Sequence, residues 1–330
     1  MKIIGMLPVY NDEDIIQEVI EHLISQEIPL VVLDNGSTDG TYKICEKYVD
    51  KGILKLEQFK SESYHWDTNL RMLYDMALLQ SPDWVIRSDS DEFLESGIKG
   101  VTLKETITQA DKENYNLIQF DWFDFYMTDD DVQTAKSIKE KFPYYTFVGD
   151  FNYRTWKVFP GIRIGDTAGH YPIFPYGKKY KISPRKNILR HYPLRSKQHT
   201  IRKMKERTRG KTINEEESGT DAHIRSVLKQ DFSQGINHKL LSKYEEDGKW
   251  DYKIKLTLYS GKHIPEKKEI FTDEGNLRKR PKTPLEYRLA LIEKEEQLSK
   301  LRKKLGIGYR AKRVGLNKVR KIIGKKEHDI

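Results

Sequence analysis

Residues 29–41 have the sequence PLVVLDNGSTDGT, which joins a short apolar run to a loop with two glycines. The run is short and apolar and ends at Asp34, a pattern typical of a buried strand. Gly36 and Gly40 permit a tight turn, and the polar residues between them can cap a helix that begins near Thr41. The stretch therefore predicts a strand, a turn and a helix in succession. By itself the stretch is equally consistent with a ligand-binding loop and with a capped turn that binds nothing.

The same alternation of strand and helix extends over the first 95 residues. Apolar runs predict strands at residues 2–9, 29–33, 53–56 and 84–86, and amphipathic spacing predicts helices at residues 14–26, 41–49 and 66–79. This order is typical of an α/β fold with a mostly parallel central sheet flanked by helices. Ligands of such sheets bind beyond the carboxyl ends of the strands. We therefore expect the loops at residues 34–40 and 89–92 to border one crevice.

The fourth predicted strand leads directly into Asp89-Ser90-Asp91-Glu92. Carboxylates this close together at the end of a buried strand need a cation or several hydrogen-bond donors to offset their repulsion. Oxygen ligands suit Mg²⁺ or Mn²⁺, which proteins often share with substrate phosphates. A solvated acidic turn is the alternative interpretation of the same residues.

Three segments together resemble glycosyltransferase family 2, whose members have the GT-A fold. They are PVYNDE at residues 8–13, DNGSTDGT at residues 34–41 and SDSDEF at residues 88–93. The DSDEF form, together with RHYPLRS at residues 190–196, resembles a bacterial and viral branch of that family. The resemblance covers roughly residues 1–200. It implies a metal-dependent, inverting transfer of a sugar from a nucleotide-sugar donor, with UDP as the expected nucleotide, to a glycan or lipid-linked acceptor.

The resemblance also assigns roles to the residues of a nucleotide-sugar-binding site. Pro8 and Tyr10 are expected to cradle the nucleobase, and Asp34 to accept a hydrogen bond from it. Asn69 and Arg71 occupy positions where many relatives carry a polar pair near the diphosphate. Arg71 is equally compatible with a place on the surface of a helix.

The expected metal ligands are Asp89, Asp91 and His191, which would hold Mn²⁺ or Mg²⁺ against the donor diphosphate. The resemblance implies that Asp89 contacts the ribose or the metal, that Asp91 ligates the metal, and that His191 reaches the site from the far side. A divalent cation there would stabilise the negative charge that develops on the leaving group. The alternative for His191 is a hydrogen-bonded histidine beside Pro193 with no ligand.

An inverting transfer needs a carboxylate that deprotonates the acceptor hydroxyl. Many relatives carry a Glu-Asp pair some distance after the metal loop, and this chain has no clear copy of it. The candidates for the general base are Asp166, Asp150 and Asp124, with Asp121 as a fourth. Asp166 lies in the glycine-rich segment GIRIGDTAGH, a composition that suits the lining of a site. Each of these residues is also compatible with a purely structural role.

The sequence divides into three predicted parts: a GT-A glycosyltransferase domain at residues 1–200, a helical or mixed extension at residues 201–280, and amphipathic, basic helices at residues 281–330. Residues 309–330 combine many Lys and Arg side chains with interspersed Val, Leu and Ile. This pattern predicts a basic helix that makes peripheral contact with an anionic membrane surface. A solvated tail, packing against protein and contact with nucleic acid are the alternatives, and we expect no nucleic-acid partner.

Composition limits the class of protein. The 330 residues carry a net charge of +9 and a single cysteine, Cys45, so a disulfide within the chain is impossible and a reducing compartment is expected. No apolar run approaches the ~18 residues of a membrane span. We therefore expect a cytoplasmic protein, either free or peripheral on the cytoplasmic membrane face. The first strand is not followed by G-x-G-x-x-G, which argues against a dehydrogenase. The alternative function is a basic nucleic-acid- or glycan-binding protein with an inactive transferase domain.

Overall fold

The computed structural model describes residues 1–60, 66–164, 171–175, 177–207, 235–245 and 249–253. Most of the predicted extension at residues 201–280 and all of residues 281–330 lie outside the described residues. The basic helix predicted at residues 309–330 therefore remains a prediction. Among the helices that are described, none is long and apolar enough to cross a membrane.

The order of elements confirms the predicted alternation over the first 95 residues. The strands are β1 (Ile3–Val9), β2 (Leu30–Asp34), β3 (Ile53–Gln58), β4 (Trp84–Arg87), β5 (Glu92–Ser96), β6 (Leu117–Tyr126), β7 (Tyr144–Lys157), β8 (Asn187–Leu194) and β9 (Ser242–Lys243). The helices are α1 (Ile16–Ser25), α2 (Thr41–Glu46), α3 (Trp66–Leu78), α4 (Leu103–Lys112), α5 (Ile138–Lys141) and α6 (Lys197–Arg207), and a short 3₁₀ helix (His238–Leu240) precedes β9. Each predicted strand and helix of the N-terminal part is present, with ends that differ by a few residues.

Burial of apolar side chains explains the N-terminal elements. Every residue of β2 is buried, as expected for an inner strand of a covered parallel sheet. Helix α1 buries Ile16, Val19, Ile20 and Leu23, which recur at helical spacing and form one apolar side. These strands and helices therefore enclose an apolar core in the N-terminal part of the fold.

A single mixed sheet contains the nine described strands in the order β3-β2-β1-β4-β7-β6-β8-β5, with β9 paired to β7. Strands β3, β2, β1 and β4 are parallel neighbours, which confirms the parallel sheet predicted for this part. Strand β7 pairs antiparallel with β4 and β6. Residues 142–195, where the sequence suggests short strands and loops, instead contain the 14-residue β7 and the 8-residue β8.

Strand β8 carries a distant segment of the chain to the end of β4. It runs antiparallel to β5, so that His191 is opposite Glu92. It also runs parallel to β6, so that His191 is opposite Asp124. The sheet thereby places His191 next to the acidic loop that joins β4 to β5.

Candidate functional site

Three loops meet at one edge of the parallel part of the sheet. They are loop 1 (residues 10–15, after β1), loop 2 (residues 35–40, after β2) and loop 3 (residues 88–91, after β4). Val9 is paired with Asp34, so loops 1 and 2 begin at the same level of the sheet. This is the position at which ligands bind in open α/β sheets.

Loops 1 and 2 are held together by hydrogen bonds between backbone and side chains. The backbone N–H of Asn11 donates to Oγ of Ser37 at 3.0 Å, and the N–H of Thr38 donates to Oδ1 of Asn11 at 2.7 Å. The N–H of Asp12 donates to Oγ1 of Thr41 at 2.8 Å. These bonds satisfy backbone groups that a strand end leaves without partners. The two loops therefore form one polar surface with a fixed shape.

Asp34 lies at the base of loop 2 and is fully buried. Its Oδ2 accepts hydrogen bonds from the N–H groups of Gly36 and Ser37 at 3.0 and 2.9 Å, and from Nε2 of Gln58 at 2.8 Å. Its Oδ1 accepts a short hydrogen bond from the Ser37 hydroxyl. Asp34 therefore shapes loop 2, and its predicted contact with a nucleobase stays a prediction.

The other predicted nucleotide-sugar-binding residues border loops 1 and 2. Pro8 and Tyr10 are half-buried at the end of β1. Asn69, on α3, is buried and donates through Nδ2 to Oδ1 of Asn35 in loop 2 at 3.0 Å. Its own Oδ1 is buried without a partner in the described part of the chain. Arg71, two residues after Asn69 on the same helix, is half-buried.

In loop 3, Asp89 is turned toward two buried arginines. Its Oδ1 lies 2.5 Å from Nη2 of Arg87, and its Oδ2 lies 3.5 Å from Nη1 of Arg154. Nη2 of Arg154 also donates to Oε1 of Glu92 at 2.5 Å. Burial, and then the charge of Asp89, raise the pKa of Glu92 well above its usual range. Both arginines are almost completely buried. Their ion pairs with Asp89 and Glu92 therefore stabilise the structure of loop 3 from inside the fold.

Asp91 and His191 converge although they are 100 residues apart in the sequence. Nε2 of His191 lies 3.6 Å from Oδ1 of Asp91, and Nδ1 lies 2.7 Å from Oδ1 of Asp124. Although burial opposes it, the two carboxylates raise the pKa of His191 to about 10. Burial likewise opposes the charge on Asp91, but the nearby Lys203 and His191 hold its pKa well below its usual range.

This arrangement fits a divalent cation between Asp91 and His191. The two facing ligand atoms, Oδ1 and Nε2, are separated by 3.6 Å, a distance that one ion can span. A metal-bound histidine usually has its second ring nitrogen held by a carboxylate, which is the contact that Asp124 makes with Nδ1. Asp89 lies in the same loop, but its oxygens are paired with guanidinium groups.

A second group of potential ligands, Asp12, Asp14 and His199, has ligand atoms within 4.8 Å of one another. The guanidinium of Arg195 lies among them: Nη2 is 2.8 Å from Oδ1 of Asp12 and 2.9 Å from Nε2 of His199, and Nε is 2.7 Å from Oδ2 of Asp14. Although burial opposes it, hydrogen bonding to His199 and the charge of Arg195 lower the pKa of Asp12. Arg195 therefore already supplies the positive charge of this cluster.

Helix α6 adds two further basic contacts to the crevice. Lys203 makes a short ion pair with Oδ2 of Asp91 in loop 3. Arg202 donates through Nη2 to the backbone oxygen of Asn11 in loop 1 at 2.6 Å. Ser90 of loop 3 donates to Oδ2 of Asp12 in loop 1 at 2.5 Å, so α6 lies over two loops that are already joined.

Arg195, His199 and Lys203 also lie at the site, although the sequence did not single them out. Arg195 belongs to the RHYPLRS segment, and His199 and Lys203 follow it at a spacing of four residues, which places side chains on one side of a helix. This spacing is a signal that could have revealed them. Arg87 and Arg154 were likewise not predicted. A charged residue inside a strand that is otherwise apolar, as in WVIR, is the signal for Arg87.

The four candidates for the general base have different surroundings. Asp124 is buried and accepts hydrogen bonds from Trp122 and Tyr126 as well as facing His191. Asp150 is half-buried on β7. Burial and then the nearby Asp150 are among the influences that raise the pKa of Asp121 on β6. Asp166 lies outside the described residues.

Residues 6–162 match the family model described as glycosyl transferase family 2. The matched range includes loops 1, 2 and 3 but ends before β8 and α6. The chain is 32% identical, over 124 residues, to the poly(ribitol-phosphate) beta-N-acetylglucosaminyltransferase TarS of Staphylococcus aureus, covering 36% of this chain and 20% of TarS. It is 28% identical, over 127 residues, to an uncharacterized glycosyltransferase, the MG060 homolog of Mycoplasma pneumoniae, covering 37% of this chain and 41% of that protein.

Among solved structures, the chain is similar to S. aureus TarS 1-349, with 17% sequence identity and a TM-score of 0.37. The likeness covers 58% of this chain and 61% of that one. The chain spans less than half the length of the curated relatives it matches.

Proposed function

We propose that this protein, which belongs to glycosyltransferase family 2 and has a GT-A type fold, transfers a sugar from a nucleotide-sugar donor to a glycan or lipid-linked acceptor, with inversion. The observation that carries the proposal is the meeting of Asp91 and His191 at the crevice bordered by loops 1, 2 and 3. Two ligand atoms 3.6 Å apart, with the histidine fixed from behind by Asp124, suit the binding of a metal and a diphosphate.

The donor nucleotide would lie over loops 1 and 2. In this proposal Pro8 and Tyr10 contact the nucleobase, Asp34 lies beneath it, and Asn69 and Arg71 approach the diphosphate. The buried Oδ1 of Asn69, which has no partner in the described part of the chain, supports a ligand at this position. TarS is named as an N-acetylglucosaminyltransferase, and the family resemblance implies UDP, so UDP is the nucleotide to test first.

A divalent cation, Mn²⁺ or Mg²⁺, would be held by Asp91 and His191, with Asp89 nearby in loop 3, and would supply positive charge to the leaving diphosphate. Asp124 fixes the ring of His191 so that Nε2 faces Asp91. Since both oxygens of Asp124 already accept hydrogen bonds, its surroundings support this orienting role. Asp166 and Asp150 stay the proposed general bases for the acceptor hydroxyl.

The charge of the chain supports the proposed acceptor and location. The net charge of +9 suits an acidic glycan or a lipid-linked acceptor at an anionic surface. In this proposal the basic residues 309–330 hold the enzyme against the cytoplasmic face of a membrane.

A turnover assay tests the proposed function. The full chain is incubated with Mn²⁺ and a panel of UDP-sugars, and release of UDP is measured. We expect release from at least one sugar, with loss on addition of EDTA and in Asp91→Asn. Asp129→Asn, which alters the Asp129–His238 pair rather than a loop 1, 2 or 3 residue, is the matched control and should retain activity. No release from UDP-, GDP- or TDP-sugars would contradict the proposal.

A further inference from the structure

The two carboxylate oxygens of Asp91 have different neighbours. Oδ1 faces Nε2 of His191 at 3.6 Å, which leaves room between them. Oδ2 is in direct contact with the ammonium group of Lys203, while Nη1 of Arg195 is 3.9 Å away. One side of Asp91 is therefore arranged for a ligand, and the other side is already occupied by a cation of the protein.

Lys203 is suited to leave this position, and Arg195 is not. The Arg195 side chain is only 2% exposed and is bound by Asp12, Asp14 and the backbone oxygen of Tyr192. The Lys203 side chain is 19% exposed, and its one ion-pair partner within the described part of the chain is Asp91. A lysine has a flexible stem and a compact charge, so its ammonium group can move several ångströms without a change in the backbone.

We propose that the ammonium group of Lys203 neutralises Asp91 in the absence of ligand. A divalent metal must displace this ammonium group before Oδ2 of Asp91 can coordinate the metal. This inference rests on the proposed transferase function and adds a residue that controls when the donor site loads. The displaced ammonium group remains tethered to α6 beside loop 3. An arriving nucleoside diphosphate brings negative charge to the same place, so Lys203 exchanges the Asp91 carboxylate for the diphosphate.

Removal of the Lys203 charge should change the affinities for Mn²⁺ and for the nucleoside diphosphate in opposite directions. Without the ammonium group of Lys203, Mn²⁺ alone should bind more tightly, because no protein cation then competes with it for the Asp91 carboxylate. The nucleoside diphosphate should bind the Mn²⁺-loaded protein more weakly, because it loses a cationic partner. A residue that merely supports the fold would not shift the two affinities in opposite directions.

Calorimetric titration of the full chain tests this. Mn²⁺ alone is titrated into the wild type, Lys203→Met, Lys203→Arg and the control Lys104→Met, which removes an exposed lysine paired with Glu27. We expect roughly tenfold tighter Mn²⁺ binding in Lys203→Met, as for the loss of one partly buried ion pair, and no gain in Lys203→Arg or Lys104→Met. UDP is then titrated into each Mn²⁺-saturated protein, and its affinity should fall several-fold in Lys203→Met only.

Mn²⁺ binding by Lys203→Met that is equal to or weaker than that of the wild type would overturn the proposal, as would unchanged UDP affinity. Lys203→Gln, which keeps a polar side chain, replaces Lys203→Met if circular dichroism shows that the latter is unfolded. The proposed function is judged separately from UDP release by the wild type. Turnover with unaltered Mn²⁺ affinity in the variant rejects the role of Lys203 alone, whereas tighter Mn²⁺ binding without turnover of any sugar nucleotide rejects the transferase function alone.

Discussion

Nδ1 of His191 lies 2.7 Å from Oδ1 of Asp124, a carboxylate that is almost completely buried. Asp124 also accepts hydrogen bonds from Nε1 of Trp122 at 2.7 Å and from the hydroxyl of Tyr126 at 2.8 Å. Three donors thus converge on one carboxylate, which fixes the imidazole and leaves Nε2 toward Asp91. The site is held in its shape before any ligand binds.

The first prediction concerns Asp124→Asn. An asparagine side chain keeps the shape but turns an NH₂ group toward one of the three donors, so the His191 ring loses its support. We expect Mn²⁺ affinity to fall by roughly 10- to 100-fold, the usual effect of removing the partner of a metal-binding histidine. Calorimetry with Mn²⁺ measures it. The control Asp129→Asn weakens the exposed pair with His238 and should leave the affinity unchanged, and wild-type affinity in Asp124→Asn would contradict the orienting role.

The N-terminal half of the fold was predictable because its pattern is local. In β2 and α1, the apolar spacing of a few neighbouring residues decides the element, and the parallel order follows from their alternation. The second half of the fold was not predictable in this way, because β7 is defined by its pairing with strands that are distant in the sequence. These partner strands are β4, β6 and β9. The Tyr- and Phe-rich composition of β7 gave no indication of a 14-residue strand.

The same distinction holds for the site. Asp91 follows a recognisable strand, and His191 was identified only through the family resemblance. Their 3.6 Å separation depends on β8 lying between β6 and β5, which no local pattern shows. Arg87 and Arg154 were missed because periodicity treats buried strand positions as apolar, and only the paired acids explain why arginines are buried there.

The second prediction compares two arginines that each make two contacts with carboxylates. Arg195 is buried between Asp12 and Asp14, whereas Arg185 forms a half-exposed bidentate pair with Glu113. Arg195→Met leaves Asp12 buried without its main cation, so we expect the free energy of unfolding to fall by about 3 kcal/mol. Urea denaturation measures the difference. Arg185→Met should change stability little, because water solvates its partner. Equal losses in both variants would contradict the importance of the Arg195 cluster.

The third prediction concerns pH. Burial, and then the charge of Lys139, lower the pKa of His22 from 6.5 to about 4. Between these values the unfolded chain takes up a proton that the folded chain does not, so acid favours unfolding through this residue. The loss of stability begins as the pH falls through 6.5 and is complete near pH 4. At about 1.4 kcal/mol per pKa unit, the limit is ~3 kcal/mol.

His22→Gln should remove this part of the acid sensitivity, since a glutamine amide can still donate to the backbone oxygen of Leu94, which Nε2 of His22 contacts at 2.9 Å. Urea denaturation at pH 7, 5.5 and 4.5 compares the slopes of stability against pH. Parallel curves for the wild type and His22→Gln would show that His22 does not titrate as described.

The central claim is that the crevice at loops 1, 2 and 3 binds a nucleoside diphosphate through a metal at Asp91 and His191. The most direct measurement is a calorimetric titration of UDP into the wild type with Mn²⁺, the wild type with EDTA, and Asp91→Asn with Mn²⁺. We predict binding in the first case and loss of at least about 100-fold in affinity in the other two, in line with removal of a bridging cation. UDP binding that is unaffected by EDTA and by Asp91→Asn, or no binding of UDP, GDP or TDP in any condition, would contradict the account.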